Sequence, residues 1–295
     1  MKKALLIVLI LLVAASPIAL TACSSVSQAQ LLSTAYVCDV PGGYELFTYD
    51  VYHKTDVVGE MTLKFEPLTG EAVSVPDRTA EGGEKNFTSF KGTLLSMDLR
   101  MDGVFNSDSI TSKVLYTNAF TPVYSYKKTN IDGVVKEMQV SYSSKYARTK
   151  LFVDGKEEKT SRHKIKNATV FDNEMLYAIV RATKVDESSY SLTFSAPNAL
   201  TATLDSLTVS RMATANANIK ALEPKGKTSE KDTATPAYVF RISTGNRYAE
   251  SYSMEIAKES VTMNNDYMNV KNVKKVILKI VEGDYSYVLK GITIA

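Results

Sequence analysis

Three kinds of residue in this chain of 295 could do chemistry: a cysteine at a hydrophobic boundary, a histidine among carboxylates, and serines three residues before lysines. Cys23 closes the run "SPIALTAC", where an apolar leader gives way to small polar residues, and its thiol is the best nucleophile available near neutral pH. "DVYHKTD" brings Asp50, His53 and Asp56 close together in sequence, which on paper is a metal cluster. On an extended strand, however, positions 50 and 56 share a face while 53 points the other way. His53 is therefore expected simply beside a hairpin turn. His163, in "SRHKIK", has no adjacent carboxylate to orient it, and two histidines are too few for most metal or acid–base schemes. Ser125-x-x-Lys128 and Ser161-x-x-Lys164 match a spacing used in acyl transfer. That spacing needs a helical turn, and both matches fall in segments that read as strands. "GKTS" at 226–229 has the end of a phosphate loop, but the position its first glycine requires is Ala221. The reading is of a non-catalytic protein, with no catalytic residue, cofactor or metal site assigned.

Lys2 and Lys3, the unbroken apolar run "ALLIVLILLVAA" and the small residues before Cys23 follow the charged, apolar, small-residue order of a secretory leader. The run is shorter than the ~20 residues a spanning helix needs, and Pro17 interrupts its end. Leu20-Thr21-Ala22-Cys23 resembles the lipobox of bacterial lipoproteins: an aliphatic residue, two small ones, then the obligatory cysteine. The resemblance implies cleavage before Cys23 and attachment of a diacylglyceryl group to its sulfur. Two or three fatty chains make such an anchor effectively permanent, where one gives only reversible binding. Residues 1–22 are thus expected to be a signal peptide, 23–35 a lipidated polar tether and 36–295 a single β-rich domain. The expected location is the cell envelope, on the outer face of the cytoplasmic membrane or on the outer membrane.

Loss of residues 1–22 takes Lys2 and Lys3 away, so Lys and Arg fall from 35 to 33 against 32 acidic residues. That near-balance, with the charges scattered, excludes a basic nucleic-acid-binding protein. Cys38, the other cysteine, has no partner once Cys23 carries lipid. It is expected to be a lone thiol, either a small buried hydrophobe or one of an intermolecular pair, and the fold must rest on a packed core.

The elements that would carry these residues are mostly strands. "MTLKF" sets Met61, Leu63 and Phe65 against Thr62 and Lys64, and "LSMDLRMD" sets Leu95, Met97, Leu99 and Met101 against Ser96, Asp98, Arg100 and Asp102. Strict alternation of this kind gives strands with one buried and one wet face. "KEMQVSY" and "TKLFVDGKEEKTSRHKI" read as a meander turning at Asp154-Gly155. "VFDNEMLYAIVRAT" differs: Phe171, Met175, Ile179 and Ala182 recur at helical spacing, with Asp172 placed to cap the first turn and Asn173, Tyr177 and Arg181 on a more polar face. A second helix is expected in "RMATANANIKAL", and a long surface loop in "EPKGKTSEKDTATP". The fold class expected is mainly β, a curved antiparallel sheet or half-barrel with one or two helices packed on its concave side.

The strand–turn–strand of "YELFTYDVYHKTDVVGEMTLKFE", followed by a meander and then the "VFDNEMLYAIVRAT" helix, resembles envelope proteins related to the LolA/LolB type of lipoprotein-localisation factor. That resemblance implies an apolar concavity between sheet and helices that accepts acyl chains or another hydrophobic ligand. Methionines such as Met97 and Met101 would either line it or fill a closed core. The expected function is a membrane-tethered carrier or binding domain for a lipid or other hydrophobic molecule. The alternative is an envelope module that holds a protein or glycan partner.

Overall fold

The computed structural model describes residues 43–102, 108–165, 169–183, 191–198, 203–222, 228–244, 252–261 and 273–295. The expected leader and tether, Cys23 and Cys38 lie outside them. Fourteen strands form one antiparallel sheet, beginning with β1 (Glu45–His53), β2 (Asp56–Pro76), β3 (Glu84–Met101), β4 (Ser109–Tyr116), β5 (Pro122–Ile131), β6 (Val134–Tyr142), β7 (Tyr146–Val153) and β8 (Lys156–Lys164). The helix α1 (Leu176–Ala182) follows, then β9 (Ser191–Pro197), β10 (Leu204–Leu222), β11 (Thr228–Thr244), β12 (Tyr252–Ala257), β13 (Ile277–Glu282) and β14 (Tyr285–Ile294).

Strand order runs β8 to β1 and then β14 back to β9, so two meanders join where the first strand meets the last. Tyr44 and Ala295 exchange both backbone hydrogen bonds at that junction, at 2.7 and 3.2 Å. The edge strands are β8 and β9, and the sheet does not close. The chain crosses between these edges through α1, and on the way Val170 pairs in parallel with Ser195 of β9. Two-residue turns set the register. Asp132-Gly133 and Asp154-Gly155 both take positive φ at each residue (53° and 78°, 46° and 79°), the backbone that suits the right-handed twist of hairpins.

Alternation sorts the sheet into two faces. Phe47, Tyr49, Met61, Leu63, Phe65, Leu95, Met97 and Val114 point to the concave side and form the main core with α1. The convex side has its own core, because β2 and β3 overshoot their neighbours. Bulges at Thr69/Glu71 and Glu71/Val73 interrupt the pairing of their hairpin, whose tip folds over the outer surface of β4 to β6. There Val75 and Phe90 pack on Leu94, Leu115, Tyr124 and Tyr126. Gly92 makes the close approach possible: a Cβ at this position would sit 2.2 Å from the Tyr116 carbonyl oxygen.

The helix is shorter than its apolar spacing predicts. Residues before Leu176 form turns, and Asp172 Oδ1 accepts from the Glu174 N–H at 3.2 Å rather than capping the helix itself. "RMATANANIKAL" is not a helix but the greater part of β10, and Thr228 to Pro236 of the expected loop belong to β11. The alanines and asparagines there follow cross-strand pairing, from Ala215 with Ala237 to Ile219 with Thr233, which overrides their weak helical preference. Ala217 and Ile219 are buried in the main core, and β10 reaches β13 and β14 across the concave side.

Candidate functional site

The concave face changes character along the sheet. From β1 to β4 it is mainly apolar, with Glu45, Thr93 and Ser112 buried among the hydrophobic side chains, whereas β5 presents Ser125 and Lys127 to the interior. Helix α1 lies over this boundary and is tied down at both ends. On its N-terminal side Lys127 Nζ is paired with Glu174, and the Tyr142 hydroxyl donates to Asp172 at 2.7 Å. Past its C-terminus Lys275 Nζ donates to the Thr183 carbonyl at 3.1 Å. Arg181 pairs with Glu45 at 2.7 Å, with both side chains only 2% exposed. The Arg181 guanidinium also lies 4.7 and 4.6 Å from the ring centres of Phe47 and Phe65, and its Nε donates to the Lys275 carbonyl. The polar face expected for Asn173, Tyr177 and Arg181 is therefore turned inward at Arg181.

Burial governs the ionisation of this layer. It pushes the Asp172 carboxyl above its usual range even though Ser125 and Tyr142 hydrogen-bond to it. Burial alone would lower Lys127, but Glu174, Asp172 and Glu282 outweigh it and hold the ammonium above its ordinary value. Tyr177 and Tyr252 are pushed well above the usual phenol range, first by burial and then by neighbouring carboxylates.

Next to this layer, at the end of the sheet where the β1–β2, β5–β6 and β13–β14 turns gather, the concave side opens into a cavity of about 540 Å³. Leu99, Met101, Ile110, Ile131, Tyr285 and Tyr287 form its walls. His53, Asp108, Glu282 and Asp284 stand at its rim, where the His53 ring meets Tyr285 at 5.0 Å. Burial, followed by the Glu282 carboxylate, raises the Tyr287 phenol above its usual range. The geometry suits an amphipathic or apolar ligand that meets aliphatic and aromatic walls on one side and the polar groups of His53, Asp108, Ser109, Glu282 and Asp284 on the other.

The sequence-derived candidates fall apart in space. Asp50 pairs with Lys290 at 2.9 Å, and His53 belongs to the cavity rim. Among the described residues no group of three or more His, Cys, Asp or Glu could hold a metal ion. Ser125 and Lys128 lie on β5, and Ser161 and Lys164 on β8, so three-residue spacing puts each serine and its lysine on opposite faces. Of the two methionines singled out, Met97 is core at 5% exposure and Met101 lines the cavity. Met175 and Ile179, both 0% exposed, are ordinary core. The cavity residues Ile110, Tyr285 and Tyr287 follow strand alternation, but nothing local marks where a curved sheet is left unfilled. Among the described residues no helix is long and apolar enough to cross a membrane.

No protein-family model matches the chain, and no curated protein matches it. Among solved structures it is similar to the beta-barrel-like protein of domain of unknown function DUF1849 from Brucella abortus, at 10% sequence identity and a TM-score of 0.45, over 86% of this chain and 97% of that one.

Proposed function

We propose that the protein is a lipoprotein of the bacterial envelope, anchored through lipid on Cys23, and that its half-barrel binds a lipid or other hydrophobic molecule without transforming it. The observation that carries the binding role is the cavity of about 540 Å³ between apolar strand faces and the Tyr285–Tyr287 pair. Its volume lies in the range of small-ligand sites, and its aliphatic and aromatic walls offer dispersion contacts beside a few polar groups that could orient a ligand. The reading agrees with the concavity implied by the LolA/LolB likeness, with one difference: α1 fills the middle of the concave side, so the ligand occupies the open end.

The test is binding of the neutral fluorophore N-phenyl-1-naphthylamine to the purified protein, with native mass spectrometry for any hydrophobic molecule that co-purifies. Ile110→Glu places a carboxylate on the apolar wall and should weaken fluorophore binding at least tenfold while the fold survives. Equal binding by Ile110→Glu and the unaltered protein would refute the cavity as the site.

A further inference from the structure

The two ends of the half-barrel differ in charge, and the difference is aligned with where the chain enters the fold. Register connects the strands directly. Glu45 of β1 faces Phe65. Glu66, one residue further toward the chain's entry, shares a row with Leu94, Leu115, Tyr124, Ser141, Arg148 and Arg162 in turn. Arg148 and Arg162 are therefore directly opposed on β7 and β8, at the end of the sheet where Tyr44 enters β1.

Both arginines are exposed, as are Lys145 and Lys164 beside them. The acids of this hairpin, Asp154, Glu157 and Glu158, are gathered near its turn at the far end, where they outnumber Lys156 and Lys159, while the near end carries cations alone. Like charges directly opposite on neighbouring strands repel, yet here the pair is kept and pre-shaped. The Arg162 guanidinium stacks 3.6 Å from the centre of the Tyr146 ring, which leaves its edge open to an anion. Among the described residues no ion pair is made by Lys145, Arg148, Arg162 or Lys164. At the opposite end, around the cavity mouth, Asp108, Glu282 and Asp284 are carboxylates. A membrane of phosphate headgroups would attract the first end and repel the second.

We propose that the Lys145–Arg148–Arg162–Lys164 surface docks on a bilayer rich in anionic phospholipid, so that the anchored protein lies with its basic end on the membrane and its cavity mouth facing away. The proposal rests on the envelope reading above for the presence of a bilayer. The chain between Cys23 and Gly43 can span at most ~70 Å, enough to let the basic end settle on the surface that holds the lipid. Headgroup phosphates supply the acceptors that stacked and paired guanidiniums bind best.

The test uses the processed chain from residue 23 with Cys23→Ala, so that no acyl chain contributes. It is sedimented with vesicles of phosphatidylcholine alone or with roughly one third phosphatidylglycerol. Binding should need the anionic lipid and be lost at high salt. Arg148→Gln with Arg162→Gln should weaken it about 25-fold, at about fivefold per cation. Lys54→Gln with Lys136→Gln, at the far end, should leave it unchanged, and melting curves confirm that both variants fold. Undiminished binding by the arginine double variant would overturn the proposal, as would binding to a soluble polyphosphate polymer but not to vesicles. The lipid anchor is tested independently: Cys23→Ala should release the protein from cell membranes, and its retention there after a high-salt wash would refute the anchor.

Discussion

At the scale of single residues, the Arg181–Glu45 pair joins positions 136 apart in sequence inside an apolar core. Its value lies less in net stability than in what is left if it is broken. Glu45→Ala strands a guanidinium between Phe47 and Phe65 and should cost about 3–5 kcal/mol in denaturant titration, whereas Glu45→Leu with Arg181→Met should recover much of that loss. Asp172 gives a prediction in pH. Its folded pKa is raised, so the stability it contributes is complete below its unfolded value of about 3.8 and declines as pH rises through the folded pKa. Asp172→Asn keeps an acceptor for the Tyr142 hydroxyl and removes the buried charge. The variant should therefore gain stability relative to the unaltered protein between pH 3 and pH 7, read as the difference in melting temperature at the two ends. None of this was legible locally. The sequence marks Arg181 as polar, and only the tertiary fold supplies Glu45 and the two rings that make it a core residue.

At the scale of elements, α1 acts as a strut across an open sheet, joined to β5 by Lys127–Glu174 and to β1 by Arg181–Glu45. Met175 and Ile179 press its apolar face on the core, and Met175→Ala or Ile179→Ala should each cost about 2–5 kcal/mol with or without ligand present. The β2–β3 hairpin shows a different dependence. Gly92→Ala drives a methyl group into the Tyr116 carbonyl, so the tip should lift from the convex face at a cost of about 3 kcal/mol or more, seen as faster proteolysis near Arg78. Alternation in "MTLKF" and "LSMDLRMD" predicted the inward faces of these two strands correctly, because a half-buried strand writes its pattern in every second residue. The same logic failed at "RMATANANIKAL". Met212 to Asn216 are exposed in β10 and alternation returns only at Ala217 and Ile219, too short a pattern to mark a strand.

At the scale of the whole molecule, two meanders hang from the junction of β1 with β14. The half-barrel class and the helix on its concave side follow from local pattern, whereas strand order does not, since the pairing of β1 with β14 joins opposite ends of the described chain, as in Glu45 with Ile294. That pairing ties together the first and last described segments, and Tyr44 and Ala295 close it. A polypeptide emerges from the ribosome amino end first. Strand β1 must then wait for about 240 further residues before its second neighbour arrives, and until then it is a bare edge exposed to other chains. Deleting Tyr285–Ile294 should make that waiting state permanent: a chain with native-like strands but no single cooperative melt, prone to pair with copies of itself and dependent on chaperones or proteases for its fate.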